Sequence, residues 1–265
     1  MIWQNMAKRR MRAGEAVFGY SLGLGSALVA EALADSGIDF LMIDTQHGSF
    51  GPDSATAALM ATGVGGATPM VRVAFNDYTR IGRLLDDGAL GVVVPMVNDA
   101  GDAHRAAAAC RLPPTGDRSF GWGRAVMYGD DYADRIDDEV FVAVQIESAR
   151  AVENAEAIMA TPGIDGCWIG PSDLALSMGV RPRDGGQHDG VQRAIERVLQ
   201  ACRNTGTIPG YAAFTPGDAA VRAAQGFRFL TAGSDRGFLM EGARAGVATL
   251  AGVKASLSKA DLESK

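Results

Sequence analysis

Short apolar runs that follow a glycine recur four times along the chain. They are SGIDFLMID (36–44), DGALGVVVP (87–95), PGIDGCWIG (162–170) and QGFRFLTAG (225–233). Each run is short enough for a strand buried on both faces, and the preceding glycine suits the left-handed position that ends a helix. Further runs at VFGYSLG (17–23), TPMVRV (68–73), FVAVQIE (141–147) and TIPGYAA (207–213) bring the predicted strands to eight.

Helical patterns fall between most of these strands. They lie near residues 26–36, 53–62, 77–87, 99–110, 149–160, 189–205, 216–225 and 236–257. Eight strands alternating with helices over about 250 residues predict an α/β fold, a (β/α)8 TIM barrel, as a single domain over residues 1–265. The irregular segment 111–132 is interpreted as a functional loop over a barrel mouth.

A doubly wound nucleotide-binding fold is the alternative architecture. It is suggested by LGLGS (22–26) after the first strand and by an aspartate at the end of the second. The third glycine of that fingerprint would stand at position 28, which is Leu28, so the pattern fails where the helix must pack closely on the strand. The barrel is therefore the favoured prediction.

Composition and charge narrow the class of protein. The chain has 265 residues, of which 47% are hydrophobic, and its net charge is −6. The only short basic run is KRRMR (8–12), so we expect no nucleic-acid partner. No segment has the length and apolar character of a signal peptide or a membrane span, which predicts a soluble cytoplasmic protein with no membrane partner. Three widely spaced cysteines predict reduced thiols.

Polar residues at the carboxyl ends of the strands are the candidate chemistry, because barrel enzymes place their sites there. Side chains alternate along a strand, so Asp44, Arg72 and Glu147 are expected to face the barrel interior at the rim, with Gln145 below Glu147. His47 follows Asp44 by three residues and precedes a glycine. It is the best candidate general base, with a structural histidine as the alternative.

Two acids follow neighbouring strands and suggest a metal site. Glu147 ends the fifth predicted strand, and Asp173 follows the sixth within GPSDL (170–174), where Ser172 and Asp173 are expected to begin a helix. Two carboxylates that converge favour a hard cation between them, Mg²⁺ or Mn²⁺. The alternatives are separate pairing with arginines, or a purely capping role for Asp173.

The positions of the lysines exclude one mechanism. All four lie near the termini, at positions 8, 254, 259 and 265, and none lies on a predicted strand. We therefore expect no Schiff-base lysine, and a reaction that develops carbanion character would depend on a metal and Arg72.

Several long motifs together resemble the HpcH/HpaI family of metal-dependent pyruvate aldolases. They are GLGSALVAEALADSGIDFLMIDTQHG, MVRVAFNDYTRIGRLLDDGALGVVVPMVN, PPTGDRSFG, VQIES and GIDGCWIGPSDLALSMG. The resemblance implies a divalent metal, with Co²⁺ as a further option. It also implies a homo-oligomer, a hexamer formed as a trimer of dimers, in which the last helix, about 236–257, packs on a neighbouring subunit.

The resemblance further implies a role for each candidate residue. Glu147 and Asp173 are the implied metal ligands, Gln145 and the Ser172 backbone the pyruvate contacts, His47 the proton acceptor and Arg72 the stabiliser of enolate charge. It also implies that Asp86 raises the basicity of the histidine, although the helix pattern places Asp86 toward the opposite mouth and favours Asp44. Gln46 and Ser21 depart from the Glu and Trp of the family pattern.

These observations lead to one leading functional hypothesis. The chain is expected to cleave a 4-hydroxy-2-oxo acid reversibly into pyruvate or hydroxypyruvate and an aldehyde, both small molecules. An acyl-CoA ester lyase of the same superfamily is the enzymatic alternative, and a barrel that binds oxo acids without catalysis is the alternative of another class. Arg118 and Arg124 in the long segment are open to three interpretations: contact with an acceptor carboxylate, exposure to solvent, or a subunit contact.

Overall fold

Eight parallel strands close into a barrel in the computed structural model, which describes residues 4–121 and 123–263. The strands are β1 (Val17–Leu22), β2 (Phe40–Asp44), β3 (Thr68–Arg72), β4 (Gly91–Val94), β5 (Phe141–Ile146), β6 (Gly166–Ile169), β7 (Gly210–Ala213) and β8 (Phe229–Ser234). Each pairs with its neighbours in sequence, and β8 pairs with β1. The predicted (β/α)8 barrel and all eight of its strands are confirmed.

Helices surround the barrel. They are α1 (Met6–Arg12), α2 (Ala27–Ala34), α3 (Pro52–Gly65), α4 (Tyr78–Asp86), α5 (Ala100–Cys110), α6 (Tyr132–Glu139), α7 (Ala149–Glu153), α8 (Ala155–Met159), α9 (Pro171–Ser177), α10 (Pro182–Gly185), α11 (Asp189–Thr205), α12 (Pro216–Gln225) and α13 (Asp235–Glu263). The predicted helix 149–160 is divided at Asn154 into α7 and α8. Helix α1 was not predicted.

Strand alternation separates two apolar layers. Phe40 and Met42 belong to the cluster inside the barrel, whereas Leu41 and Ile43 between them belong to the layer under the helices. Helix α1 contributes Ala7 and Met11 to the interior cluster and so closes the N-terminal end of the barrel. The alternation inferred from the sequence is confirmed, and it sends polar residues at the strand ends into the open C-terminal mouth.

Hydrogen bonds tie the segment 111–132 to neighbouring helices, and its role as a functional loop over a barrel mouth stays a prediction. Within this segment, Arg124–Tyr128 form a 3-10 helix, and the chain then continues into α6. The Asp117 N–H donates to the carbonyl of Ala108 in α5, and the Tyr128 hydroxyl donates to Gly88 just after α4. Backbone and side-chain hydrogen bonds thus fix it against these helices. Residue 122 lies outside the described residues.

Candidate active site

Asp44 and Arg72 form a two-pronged ion pair at the rim. They are direct partners in the register of β2 and β3, so both side chains leave the sheet at one level. Arg72 donates through Nε to Asp44 Oδ1 at 2.9 Å and through Nη2 to Oδ2. Burial alone would raise the pKa of Asp44, but the Arg72 guanidinium and two backbone N–H donors hold that pKa below its ordinary value. Arg72 is therefore fixed, with Nη1 left over for the cavity.

The loop that carries His47 is anchored by the same carboxylate. Asp44 Oδ1 accepts the backbone N–H groups of Gln46 at 3.0 Å and His47 at 3.2 Å. A side chain at Gly48 would come within 2.3 Å of the Asp44 carbonyl, so the turn requires glycine. The His47 side chain itself is exposed at the mouth. Asp44 thus holds the backbone of His47 and the Arg72 guanidinium, which differs from the direct acid–imidazole pairing suggested by their proximity in sequence.

Glu147 lies just beyond β5 and is buried, with 5% of its surface exposed. Its Oε1 accepts the backbone N–H of Met96 at 2.7 Å, and its Oε2 accepts the Gln145 amide at 2.5 Å. Burial and then the negative charge of Asp173 raise the pKa of Glu147 above its ordinary value, although the Met96 N–H opposes this. The carboxylate therefore has hydrogen-bond donors and a like charge nearby, and it forms no ion pair with an arginine in the described residues.

Asp173 lies in the first turn of α9, as the sequence predicted for a helix start. Gly170 precedes this helix, followed by Pro171 and Ser172. A side chain at Gly170 would meet Gln145 Nε2 at 2.8 Å and Glu147 Cβ at 3.3 Å, so glycine lets the end of β6 pass close to Glu147. The Asp173 side chain is exposed and makes no ion pair in the described part of the chain.

The donor set fits a hard cation. Glu147 and Asp173 offer carboxylate oxygens, and burial together with the negative charge of Asp173 raises the pKa of Glu147 even though Arg72 opposes this. Among residues 4–121 and 123–263, no group of three or more His, Cys, Asp or Glu side chains converges as metal ligands. An ion held by these two acids would therefore complete its coordination with water and substrate oxygens, as Mg²⁺ commonly does.

A cavity of about 260 Å³ opens beside this pair. Its wall includes Arg72 on one side, Gln145 and Trp168 below, and Ser172 and Asp173 at the rim. Hydroxyl and small side chains complete the wall: Ser21, Ala212, Ala213, Thr231 and Ser234. This volume suits a small organic acid with a short second substrate.

The structure does not bring Asp86 into this group within one chain. Asp86 ends α4 and accepts Arg118 Nη2 at 2.8 Å, and Arg118 is almost fully buried. Arg124 donates to the Asp87 carbonyl. Neither arginine lines the cavity beside Glu147 and Asp173, and both have partners on or next to α4.

Comparison with known proteins identifies the family. Residues 19–241 match the HpcH/HpaI aldolase/citrate lyase family. The 4-hydroxy-2-oxo-heptane-1,7-dioate aldolase of Salmonella newport (strain SL254) is 36% identical, with 97% of this chain and 98% of that protein aligned. The chain belongs to the HpcH/HpaI aldolase/citrate lyase family. It is an aldolase, a carbon–carbon lyase that acts on small molecules, and the resemblance inferred from the motifs is confirmed.

Solved structures agree with this assignment. A HpcH/HpaI family protein from Burkholderia cenocepacia J2315 is 34% identical with a TM-score of 0.88, covering 93% of this chain and 99% of that one. A more distant barrel, the citrate lyase beta subunit of M. tuberculosis complexed with oxaloacetate and magnesium, is 17% identical with a TM-score of 0.58 and covers 84% of this chain and 93% of that one. The second likeness shows the fold alone.

Two residues of the site were not found from the sequence. Met96 adopts a left-handed backbone, with φ of 58°, and directs its N–H at Glu147. Nothing in PMVN (95–98) signals this conformation, which is uncommon outside glycine. Trp168 faces the cavity; strand alternation could have revealed it, since it is the register partner of Gln145.

None of the helices in the described part of the chain combines the length and apolar character needed to cross a bilayer.

Proposed function

We propose that the protein reversibly cleaves 4-hydroxy-2-oxo acids into pyruvate or hydroxypyruvate and an aldehyde, with a divalent cation held by Glu147 and Asp173. The observation that carries this proposal is the pair of like-charged carboxylates at successive strand ends, one of them with a raised pKa. They lie beside a cavity lined by Gln145, Ser172 and Arg72. Mg²⁺ and Mn²⁺ are the expected ions, with Co²⁺ as a substitute.

The metal would supply Lewis acidity toward the carboxylate and keto oxygens of the oxo acid. The chain's own residues orient the substrate around it. Gln145 is fixed by its bond to Glu147, and the backbone N–H of Ser172 belongs to the first helical turn, whose donors lack intrahelical acceptors. These groups hold the oxo acid against the wall formed by β5 and β6.

Arg72 would stabilise the developing negative charge, and His47 would transfer the proton. The ion pair with Asp44 uses Nε and Nη2 of Arg72 and leaves Nη1 to stabilise the negative charge that develops on the keto oxygen during C–C cleavage. His47, exposed at the mouth, would accept the proton of the 4-hydroxyl group and return it in the reverse reaction. Within one chain, Asp44 rather than Asp86 is the acid that positions this histidine.

Helix α13 supports the proposal of a homo-oligomer. Its apolar side chains lie on the surface of the isolated chain: Leu239, Met240, Val247, Leu250 and Val253. A row of exposed apolar residues on one long helix is typical of a protein interface. We propose that α13 packs on a neighbouring subunit, as the family resemblance implies.

The assay follows pyruvate release from 4-hydroxy-2-oxoheptanedioate with Mg²⁺ or Mn²⁺, before and after chelation. Activity should disappear on complete metal removal and return when the ion is restored. Full turnover by metal-free protein would contradict the mechanism. Turnover of an acyl-CoA ester, with none of the 4-hydroxy-2-oxo acid, would replace it with the alternative lyase.

A further inference from the structure

Two buried polar atoms in the cavity wall have no hydrogen-bond partner among the described residues. They are the indole Nε1 of Trp168 and the amide Oε1 of Gln145. Trp168 is 4% exposed and Gln145 is 1% exposed. Buried polar groups are almost always paired, because an unpaired one loses its hydrogen bonds with water and gains none in return. Both atoms therefore call for a partner that the protein chain does not supply.

The two residues stand side by side. Gln145 on β5 and Trp168 on β6 are direct register partners, and both line the cavity of about 260 Å³. One side of this pair is thus open to a ligand.

The chemistry of each atom is fixed by its surroundings. The Gln145 amide must direct its NH₂ group at Glu147, because an ionised carboxylate can only accept, and this leaves Oε1 as the free acceptor. The indole nitrogen of Trp168 can only donate. The indole is also held in place, since the Arg72 guanidinium lies 5.4 Å from the centre of its ring. The wall therefore presents one free acceptor and one free donor from adjacent residues.

A hydroxyl group offers what both atoms lack, because it can accept from the indole N–H and donate to the amide oxygen. A carboxylate or keto oxygen would satisfy only the indole. We propose that Gln145 and Trp168 form a hydroxyl-binding subsite, and that its ligand is the 3-hydroxyl of a 3-hydroxy-2-oxo acid. This inference rests on the proposed aldol reaction and selects, between its two oxo acids, the hydroxylated one.

The position of the subsite assigns the hydroxyl to the oxo acid rather than to the aldehyde. Gln145 binds Glu147 directly, so the subsite adjoins the acids that would hold the 2-oxo acid. The opposite wall of the cavity, with Ser21, Phe214 and Ser234, lies on β1, β8 and the segment after β7 and is left for the aldehyde. The chain is thus expected to add hydroxypyruvate to aldehydes more efficiently than pyruvate.

The substitution Trp168→Phe tests the subsite, because it removes the N–H and keeps an aromatic ring. The assay measures kcat/KM for aldol addition to one aldehyde, with hydroxypyruvate and with pyruvate. We expect the ratio of the two kcat/KM values to fall roughly fivefold, the effect of one net hydrogen bond. Effects of lost ring volume or of a weaker contact with Arg72 act on both oxo acids and cancel in the ratio.

A matched control is Tyr211→Phe. This variant removes the hydroxyl of Tyr211 on the neighbouring strand β7, which accepts a hydrogen bond from Arg222. It is a matched control because Tyr211 does not line the substrate cavity. The hydroxypyruvate-to-pyruvate ratio should be unchanged in this variant. An unchanged ratio in Trp168→Phe as well would overturn the subsite.

A binding measurement separates a substrate hydroxyl from an ordered water. In ¹⁵N-tryptophan-labelled protein with Mg²⁺, the indole resonance absent from Trp168→Phe belongs to Trp168. It should shift on addition of hydroxypyruvate and shift less on addition of pyruvate. Equal shifts would mean that a water occupies the subsite with either acid, which contradicts the proposal. Failure of the wild-type protein to use either oxo acid would instead refute the proposed function.

Discussion

The two ends of the barrel both bury charged side chains, but they differ in whether each buried acid has a positive partner. At the N-terminal end, Lys8, Arg111 and Asp165 form a closed charge cluster. Asp165 accepts Arg111 at 2.7 Å and lies 3.1 Å from Lys8, and Lys8 also donates to the Val140 carbonyl. Although burial pushes the pKa of Asp165 upward, Lys8 and Arg111 hold it below its ordinary value. This cluster carries its own counter-charges.

The C-terminal mouth is organised differently. Asp44 and Arg72 form a buried ion pair there. Glu147 faces the like charge of Asp173, and its pKa is raised, whereas that of Asp165 is lowered. Unpaired atoms of Gln145 and Trp168 lie beside it. The N-terminal cluster therefore supplies its own counter-charges, whereas Glu147 at the mouth has no ion-pair partner among the described residues, as the proposed cation site requires.

The largest expected effect is that of Glu147→Gln. The amide cannot replace the carboxylate as a ligand for a hard cation, so kcat should fall by at least about 10³-fold. The matched control is Glu139→Gln at the other end of the barrel, also a buried glutamate, which bonds Arg9 and the Asn5 N–H. Its folded fraction should retain the wild-type kcat. Equal losses in both variants would remove the distinction between the two ends.

The next largest effect is expected at the N-terminal end, where a substitution should lower stability and leave activity almost unchanged. Asp165→Asn leaves Lys8 and Arg111 buried without their carboxylate, and we expect a loss of about 3 kcal/mol in the free energy of unfolding. Urea unfolding measures it, and kcat per folded molecule should stay within twofold. Asp99→Asn is the control, because Asp99 pairs with Arg150 at the surface and asparagine preserves its capping of α5. A stable Asp165→Asn protein would show that the cluster is dispensable.

The fold could be predicted from the sequence because the hydrophobic periodicity and the glycines at the ends of helices indicate the same elements. Buried strands, alternating faces and glycines before four of the strands all predict one architecture, and the faces assigned to residues 40–43 are those observed. The positions of Asp44, Arg72 and Glu147 follow from the same alternation. Strand ends of a parallel barrel meet at one mouth whatever the tertiary detail, so these residues had to converge.

What escaped prediction depends on tertiary packing. Lys8 was counted as a terminal residue, yet α1 buries it under the barrel, because Asn5 caps this helix and bonds the carbonyls of Leu90 and Glu139. The composition of the segment 111–132 gives no sign of the hydrogen bonds that tie it to α5 and to Gly88 after α4. The left-handed Met96 has no sequence signature. Each case turns on contacts between residues far apart in the chain.

The smallest effect concerns the pH dependence of the N-terminal cluster. Burial, partly offset by the nearby Asp165, lowers the pKa of Lys8 from 10.5 to about 8. Between these values the unfolded chain binds the proton and the folded chain releases it, so stability rises with pH in that window. Below about pH 8 both states are protonated and the full cost of the buried charge remains.

Comparison with Lys8→Met isolates this contribution, since every other titrating group is shared. The free energy of unfolding of the wild type relative to the variant should increase by about 1.5 kcal/mol between pH 8 and pH 9.5, as measured by urea unfolding. The kcat of folded protein should not differ between the two at pH 7.5, because Lys8 lies at the end opposite the catalytic mouth. A flat difference across this range would mean that Lys8 titrates at its ordinary pKa and that α1 does not bury its charge.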